Sequence, residues 1–368
     1  MTGVQTCALP ILSAHIDRVT RLSNLALLLY HWYIQHGHAR NTEDESKIKS
    51  YFRQSMPFDQ KEVNGFYERL YLYQSYCWYA FIRQDFLMYY RYSRKWIDLY
   101  ESDPVMIEVE TGHYIKGMHN LLNAHFDLRN HVGFEESLRR FEAFEATPSA
   151  TQHENFRTHT SIYINSARLN RHLMQGTFFS GTLLIPDIEK KLKDYALFVD
   201  RHRILVFTYK FASLFFGCGD YSKAIDYLLK IINGPMDLRI DLQCYARLMH
   251  LISHYELGNF ELMESLSKSA YRFMAKMENL TQTEEEVFRF LRTTLKLKPE
   301  DIKPELEKLL VKIKHLEKDR HETRGFAYLD IISWIESKVY HKTMEAVIHE
   351  KYLHSKKRNY KKSDRLIR

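Results

Sequence analysis

Apolar residues recur every three or four positions along most of this chain, which is the spacing of a helix with one buried face. The stripe Ile16, Val19, Leu22, Ala26 and Leu29 is typical. Segments with this period predict paired helices over 63–83 with 86–100, 105–128 with 134–144, 155–174 with 186–199, 204–216 with 221–232, and 238–256 with 260–277. We expect further helices over 284–297, 305–319 and 326–339, the first opened by a capping box of Thr283 and Glu286.

Five short turns interrupt the helical pattern in one way, with small or turn-forming residues followed by an aromatic residue. They are Gln84-Asp85-Phe86, Val132-Gly133-Phe134, Gly176-Thr177-Phe178, Gly219-Asp220-Tyr221 and Gly258-Asn259-Phe260. Gly, Asn and Asp tolerate the left-handed backbone that ends a helix. The aromatic residues lie 48, 44, 43 and 39 positions apart, which is typical of stacked helix pairs. We therefore predict an all-α fold, an α-solenoid of antiparallel helix pairs over residues 12–340, followed by a basic segment over 341–368.

The clearest single unit covers residues 209–231 (YKFASLFFGCGDYSKAIDYLLKI). It resembles a tetratricopeptide repeat, with the small Ala212 in its first helix, Gly219 and Tyr221 in the turn, and Ala224 where the two helices would touch. The other units depart from that pattern, because the equivalents of Ala224 are Tyr89, Ser137, Gly181 and Met263. Over residues 16–295 the chain is similar to the divergent tetratricopeptide-like helical-repeat proteins common in Bacteroidota. That resemblance implies a fold and no chemistry.

The first eleven residues, MTGVQTCALPI, carry no charge and no helical period, and they resemble a translated sequencing adapter. A signal peptide is the alternative, but no Lys or Arg precedes the short apolar run. We expect residues 1–11 to be foreign to the natural protein, so that an upstream signal peptide or domain could be missing.

Composition and charge narrow the class of protein further. The chain has only 13 Gly and 8 Pro in 368 residues, which favours helices. No apolar run approaches the ~18 residues of a membrane span. Cys77, Cys218 and Cys244 form no CxxC pair, so we expect buried thiols and a cytoplasmic protein. The net charge is +7, and residues 341–368 carry nine Lys or Arg against three acidic residues, so the basic character belongs to this segment.

Patterns of catalytic, metal-binding or cofactor-binding residues are incomplete. His349 and His354 are five positions apart, whereas a zinc protease helix needs four. His250 and His254 have the helical spacing, but no third ligand can be named. We expect no enzymatic activity, no metal and no cofactor.

Binding is the remaining class of function. Fourteen aromatic residues lie between Phe66 and Tyr100. Most of them are expected to fill the core, and Tyr67, Tyr71 and Tyr90 are candidates for partner contacts. The sequence thus predicts a scaffold for an unidentified protein or peptide. The alternative is a nucleic-acid-associated regulator whose phosphate contacts would be Lys356, Lys357, Arg358, Lys361 and Lys362.

Deleting residues 1–11 should leave the thermal unfolding midpoint unchanged, because we expect the native fold to begin after them. Circular dichroism of the truncated and full chains measures this midpoint. A drop of several degrees would show that this segment makes stabilising contacts.

Overall fold

The computed structural model of this chain describes residues 3–39, 41–56, 63–236, 238–317, 319, 321–322, 325–327 and 329–366. Within these ranges all regular elements are helical and no strand occurs, which confirms the all-α class. The helices are α1 Gly3–His36, α2 Thr42–Ser55, α3 Phe66–Ile82, α4 Phe86–Ser102, α5 Met106–Val109, α6 Thr111–Asp127, α7 His131–Glu145, α8 Pro148–Thr151, α9 Glu154–Gln175, α10 Phe178–Thr182, α11 Ile185–Asp194, α12 Arg201–Gly217, α13 Tyr221–Ile232, α14 Ile240–Glu256, α15 Phe260–Lys276, α16 Gln282–Thr294, α17 Pro299–Leu316, α18 Ile331–Val339 and α19 Met344–Leu366.

The chain forms two compact units. The first contains Met1–Asn130 and Glu136–Thr160, and the second contains His131–Glu135 and Ser161–Arg368. In the first unit, α3 lies between α1 and α4, and α4 also packs on α6. In the second unit, each helix from α12 to α19 packs against the next helix along the chain. Consecutive packing of this kind is what helical-repeat proteins have in common.

One type of turn recurs between consecutive helices. A single residue with positive φ ends the first helix: Gln84, Arg129, Gly176, Gly219 or Gly258. At Gly219, where φ is 85°, the N–H donates to the carbonyl of Phe216 at 3.1 Å, and the next N–H, of Asp220, donates to Phe215 at 2.9 Å. These two bonds satisfy carbonyls that the end of the helix leaves without partners. Tyr221 then opens α13 with its ring edge-on to Phe216, 5.4 Å between centroids, and Ala224 is fully buried.

The second of the five predicted turns was wrong. Its left-handed residue is Arg129, with φ of 52°, and α7 begins at His131, so Val132, Gly133 and Phe134 lie inside that helix. The N–H groups of Arg129 and Asn130 donate to Phe126 at 3.0 Å and His125 at 2.9 Å. These bonds can offset the strain that a left-handed backbone places on a non-glycine residue, about 1–2 kcal/mol. The glycine at position 133 therefore did not mark the turn.

The predicted capping box was also misplaced. Thr281 and Glu284 form it, and the N–H of Thr281 donates to the Glu284 carboxylate at 2.7 Å. Thr283 cannot serve as the cap because its N–H and hydroxyl both donate to Glu322, at 2.8 and 2.9 Å. A partner 39 residues away therefore decides where α16 starts.

Several helix bounds differ from the predicted ones. The segment 105–128 breaks at Glu110 into α5 and α6, and 186–199 is replaced by the shorter α11. The pattern missed α2, whose fully buried apolar residues are Ile48 and Phe52. The last predicted helix, 326–339, is the shorter α18, and α19 follows it. The helix α1 begins at Gly3 and so runs through residues 3–11. Their side chains lie outside the described part, and their foreign origin stays a prediction.

One buried carboxylate ties α1 to the start of α3. Glu68 accepts hydrogen bonds from the N–H groups of Asn64 and Gly65, at 3.0 and 2.9 Å, and from Arg18 of α1 at 2.6 Å. His15 of α1 lies 3.0 Å from the same carboxylate. Burial alone would raise the pKa of Glu68, but these donors outweigh burial and lower its pKa to about 2.

Protonation of Glu68 should therefore lower the free energy of unfolding in acid. Its folded pKa lies below its value in the unfolded chain, so the stabilisation is complete above about pH 5 and is lost as the pH falls toward the folded pKa. We expect the wild type to lose about 1–2 kcal/mol more than Glu68→Gln between about pH 5.5 and pH 3. Urea unfolding across this range measures the difference. Glu43→Gln, at an exposed carboxylate on α2, is the matched control, and equal slopes for all three proteins would contradict the assignment.

Candidate functional site

Two of the three candidate contact tyrosines lie together. Tyr67 and Tyr71, one turn apart on α3, are both half-buried. The carboxylate of Glu110 lies close enough to the Tyr67 hydroxyl to help raise the pKa of Tyr67, and the Tyr71 ring packs edge-on against His113 with centroids 5.6 Å apart. We call Tyr67, Tyr71, Glu110 and His113 the tyrosine–carboxylate cluster.

The break between α5 and α6 positions the second half of this cluster. Glu110 has a non-helical φ of −122°, and its carbonyl accepts from the N–H of His113 at 3.0 Å. The hydroxyl of the buried Tyr100 also reaches this carbonyl, at 3.4 Å. Gln74, further along α3, donates its side-chain N–H to His113 Nδ1 at 3.0 Å. His113 Nε2 then lies 3.9 Å from the Glu110 carboxylate.

Burial sets the charge of this cluster. Burial raises the pKa values of Tyr67 and Tyr71, and the nearby carboxylate of Glu110 raises both further. Burial and the positive charge of Lys116 lower the pKa of His113. Both phenols are thus protonated and His113 is neutral at neutral pH, so the carboxylate of Glu110 is the charged group among these four side chains.

The other predicted contact residues lie elsewhere. Tyr90 is on α4, where its ring packs against His125 of α6 with centroids 5.0 Å apart. Lys356, Lys357, Arg358, Lys361 and Lys362 belong to the helical backbone of α19, but their side chains lie outside the described residues.

Sequence reasoning missed a histidine motif in three turns. The Nδ1 atoms of His125, His172 and His254 each form a hydrogen bond with a side chain five residues later: the amide of Asn130 at 3.1 Å, the hydroxyl of Thr177 at 2.8 Å and the amide of Asn259 at 3.0 Å. Burial lowers the pKa of all three histidines. The repeated spacing of His and Asn or Thr could have revealed this motif, which fastens the end of one helix to the start of the next.

The C-terminal helix α19 packs against distant turns of the second unit. Gly176, with φ of 64°, lies so close that an added Cβ would be 2.6 Å from the nitrogen of His349 and 2.8 Å from the carbonyl oxygen of Glu345. His349 Nδ1 donates to the carbonyl of Gln175 at 2.9 Å. Farther along α19, the ring of Tyr352 meets His131 edge-on at 4.6 Å.

Buried carboxylates of the second unit hold α18 and α19 in place. Glu256 of α14 accepts from the indole N–H of Trp334 at 2.6 Å and pairs with Lys338, both on α18. Glu336 of α18 pairs with Lys314 of α17 at 2.6 Å and with Lys351 of α19 at 2.7 Å. The three C-terminal helices are therefore joined by ion pairs as well as by apolar packing.

The described residues contain no group of three or more His, Cys, Asp or Glu side chains that could hold a metal ion. His250 Nε2 and His254 Nε2 lie 3.3 Å apart and form a hydrogen bond. Burial raises the pKa of Cys77 to about 12, which makes that thiol a poor nucleophile. None of the described helices combines the length and apolar composition that crossing a bilayer would require.

Comparisons with protein-family models, with curated proteins and with solved structures find no match to this chain. The likeness to a tetratricopeptide repeat therefore rests on the residues of 209–231 themselves.

Two glycine substitutions should separate backbone strain from helix docking. Gly219→Ala should cost about 1–2 kcal/mol of unfolding free energy, because φ is positive and an added Cβ would meet no atom within 4 Å. Gly176→Ala carries the same strain and also a clash with the main chain of α19, so it should cost more. Urea unfolding measures both, and limited trypsin digestion should cut the Gly176→Ala protein faster within α19. Equal losses and equal cleavage rates would contradict close docking at Gly176.

Proposed function

We propose that this chain is a non-enzymatic scaffold that binds a protein or peptide segment at the tyrosine–carboxylate cluster of its first unit. We further propose that its consecutively packed helices form a tetratricopeptide-like α-solenoid, a fold whose surfaces serve in binding. The observation that carries the proposal is the cluster itself, in which two half-exposed tyrosine rings are held beside a carboxylate.

The physical argument concerns entropy and contact area. Tyrosine offers a large apolar ring and a polar end with few rotatable bonds, so it gives much contact area at a small entropic cost. The ring of Tyr67 packs edge-on against Phe66, and the ring of Tyr71 packs edge-on against His113. A partner would therefore meet side chains that are already ordered, which favours affinity.

Selection of short random peptides displayed on phage tests this proposal. Peptides enriched on the wild type should bind it in solution and should bind Tyr67→Ala/Tyr71→Ala at least about tenfold more weakly, since buried tyrosines commonly act as hot spots. Fluorescence anisotropy with labelled synthetic peptides measures the affinity. Tyr340→Ala removes an exposed tyrosine of the second unit and should bind like the wild type. Circular dichroism melts check that each variant is folded.

Two outcomes would count against the proposed site. The first is that selection enriches no peptide, and the second is that the enriched peptides bind the double tyrosine variant as tightly as the wild type. The second result would mean that binding occurs on another surface.

A second candidate function, nucleic-acid association, is favoured by the helical backbone of α19, which continues to Leu366. At ~100° per residue, positions 357, 358, 361 and 362 fall within an arc of about 140°. Binding of a labelled DNA duplex should then weaken steeply with salt and should disappear when residues 355–368 are deleted. Binding that survives this deletion would exclude the basic helix as the contact surface.

A further inference from the structure

We infer that the segment bound at the tyrosine–carboxylate cluster presents a lysine or arginine side chain to Glu110 and to the rings of Tyr67 and Tyr71. This inference rests on the proposed function and names the chemistry of the partner at that site. Three observations support it: the arrangement of other tyrosine–carboxylate pairs in this protein, the charge around Glu110, and the exposed apolar residues beside it.

Elsewhere in the chain, a tyrosine paired with a carboxylate also holds a cation. The hydroxyl of Tyr227 donates to Glu189 at 3.1 Å. Lys230 stands 4.2 Å above the centre of the Tyr227 ring and 3.8 Å from the carboxylate of Glu189. A cation over a tyrosine ring and beside a carboxylate is attracted by both groups.

A cation beside both a tyrosine ring and a carboxylate recurs with other residues. Arg203 donates to the hydroxyl of Tyr163 at 2.8 Å, lies 5.5 Å from the centre of that ring, and pairs with Asp200. Arg140 likewise lies 5.9 Å from the centre of the Tyr114 ring and pairs with Glu101. In each of these sites the chain supplies its own lysine or arginine.

Among the described residues, no lysine or arginine forms an ion pair with Glu110 or lies over the ring of Tyr67. His113, which is neutral, lies 3.9 Å from the Glu110 carboxylate. The relative exposure is 25% for the Glu110 side chain and 23% for that of His113, so both can be reached from solvent. No described cation therefore lies beside Tyr67 and Glu110 as Lys230 lies beside Tyr227 and Glu189.

The charge of the surrounding chain favours a cation over an anion. Residues 97–112 contain five acidic residues and no Lys or Arg. Asp98 and Glu101 are paired with arginines. Asp103 and Glu108 are exposed, and neither forms an ion pair with a described residue. An anionic partner would meet repulsion from these carboxylates, whereas a basic partner would be attracted.

Two further features limit what the partner can be. Val105, just before α5, and Val109, its last residue, are 67% and 59% exposed, so an apolar residue next to the cation would find a contact. Lys116 lies one turn beyond His113 on α6 and is exposed, so its charge disfavours a second cation on that side. The expected segment is therefore basic and partly apolar rather than uniformly basic.

The test uses the peptides selected on the wild-type protein. Enriched sequences should share a lysine or arginine, and replacing that residue by glutamine should weaken binding at least about tenfold. Glu110→Gln keeps an acceptor for the Tyr67 hydroxyl but removes the charge, and it should weaken binding similarly and flatten the dependence on salt. Glu307→Gln, at an exposed carboxylate of α17, is the matched control and should change neither quantity.

The outcomes separate this inference from the proposed function. If enriched peptides lack a common basic residue, or if Glu110→Gln binds as tightly as the wild type, the cation is excluded. The scaffold proposal would survive that result if Tyr67→Ala/Tyr71→Ala binds the enriched peptides at least about tenfold more weakly than the wild type. If no peptide is enriched, both proposals fail.

Discussion

Reversing the chain between two packed helices is the constraint on which this fold depends. The last carbonyls of a helix lack partners within it, and a left-handed residue followed by two backward hydrogen bonds satisfies them within a short turn. Gly219 and Gly258 adopt this backbone freely, whereas Gln84 and Arg129 adopt it at a cost of about 1–2 kcal/mol. Because the same turn recurs, the helices from α12 to α19 pack against their neighbours in chain order.

Buried glutamates with hydrogen-bond or ion-pair partners are a second recurring feature of the structure. Glu68, Glu284 and Glu322 accept backbone N–H groups at the starts of helices, where negative charge also suits the helix dipole. Glu256 and Glu336 are surrounded by lysines and an indole N–H. A buried charge is tolerated only when it is paired, and each of these carboxylates has N–H or lysine partners. The half-exposed Glu110 differs from them because no lysine or arginine in the described part of the chain pairs with it.

The candidate site was only partly predictable. A high density of aromatic residues drew attention to Tyr67 and Tyr71, but it also drew attention to Tyr90, which packs against His125 instead. Glu110 and His113 belong to another helix, about 40 residues on, and no local pattern links them to α3. The same limit applies to α19, whose contact with Gln175 spans 174 residues. Such pairs depend on how helices are stacked, which short-range periodicity does not encode.

The sequence by itself determined where most helices lie, because helical periodicity and turn chemistry act over a few neighbouring residues. The helix Tyr221–Ile232, for example, has the bounds predicted from its apolar pattern. Tertiary structure decided which threonine caps α16 and where α19 docks. In the first case a distant hydrogen bond, and in the second a close main-chain approach, outweighed the local preference. The packing of α3 beside α6 likewise created the tyrosine–carboxylate cluster from residues that are separately unremarkable along the chain.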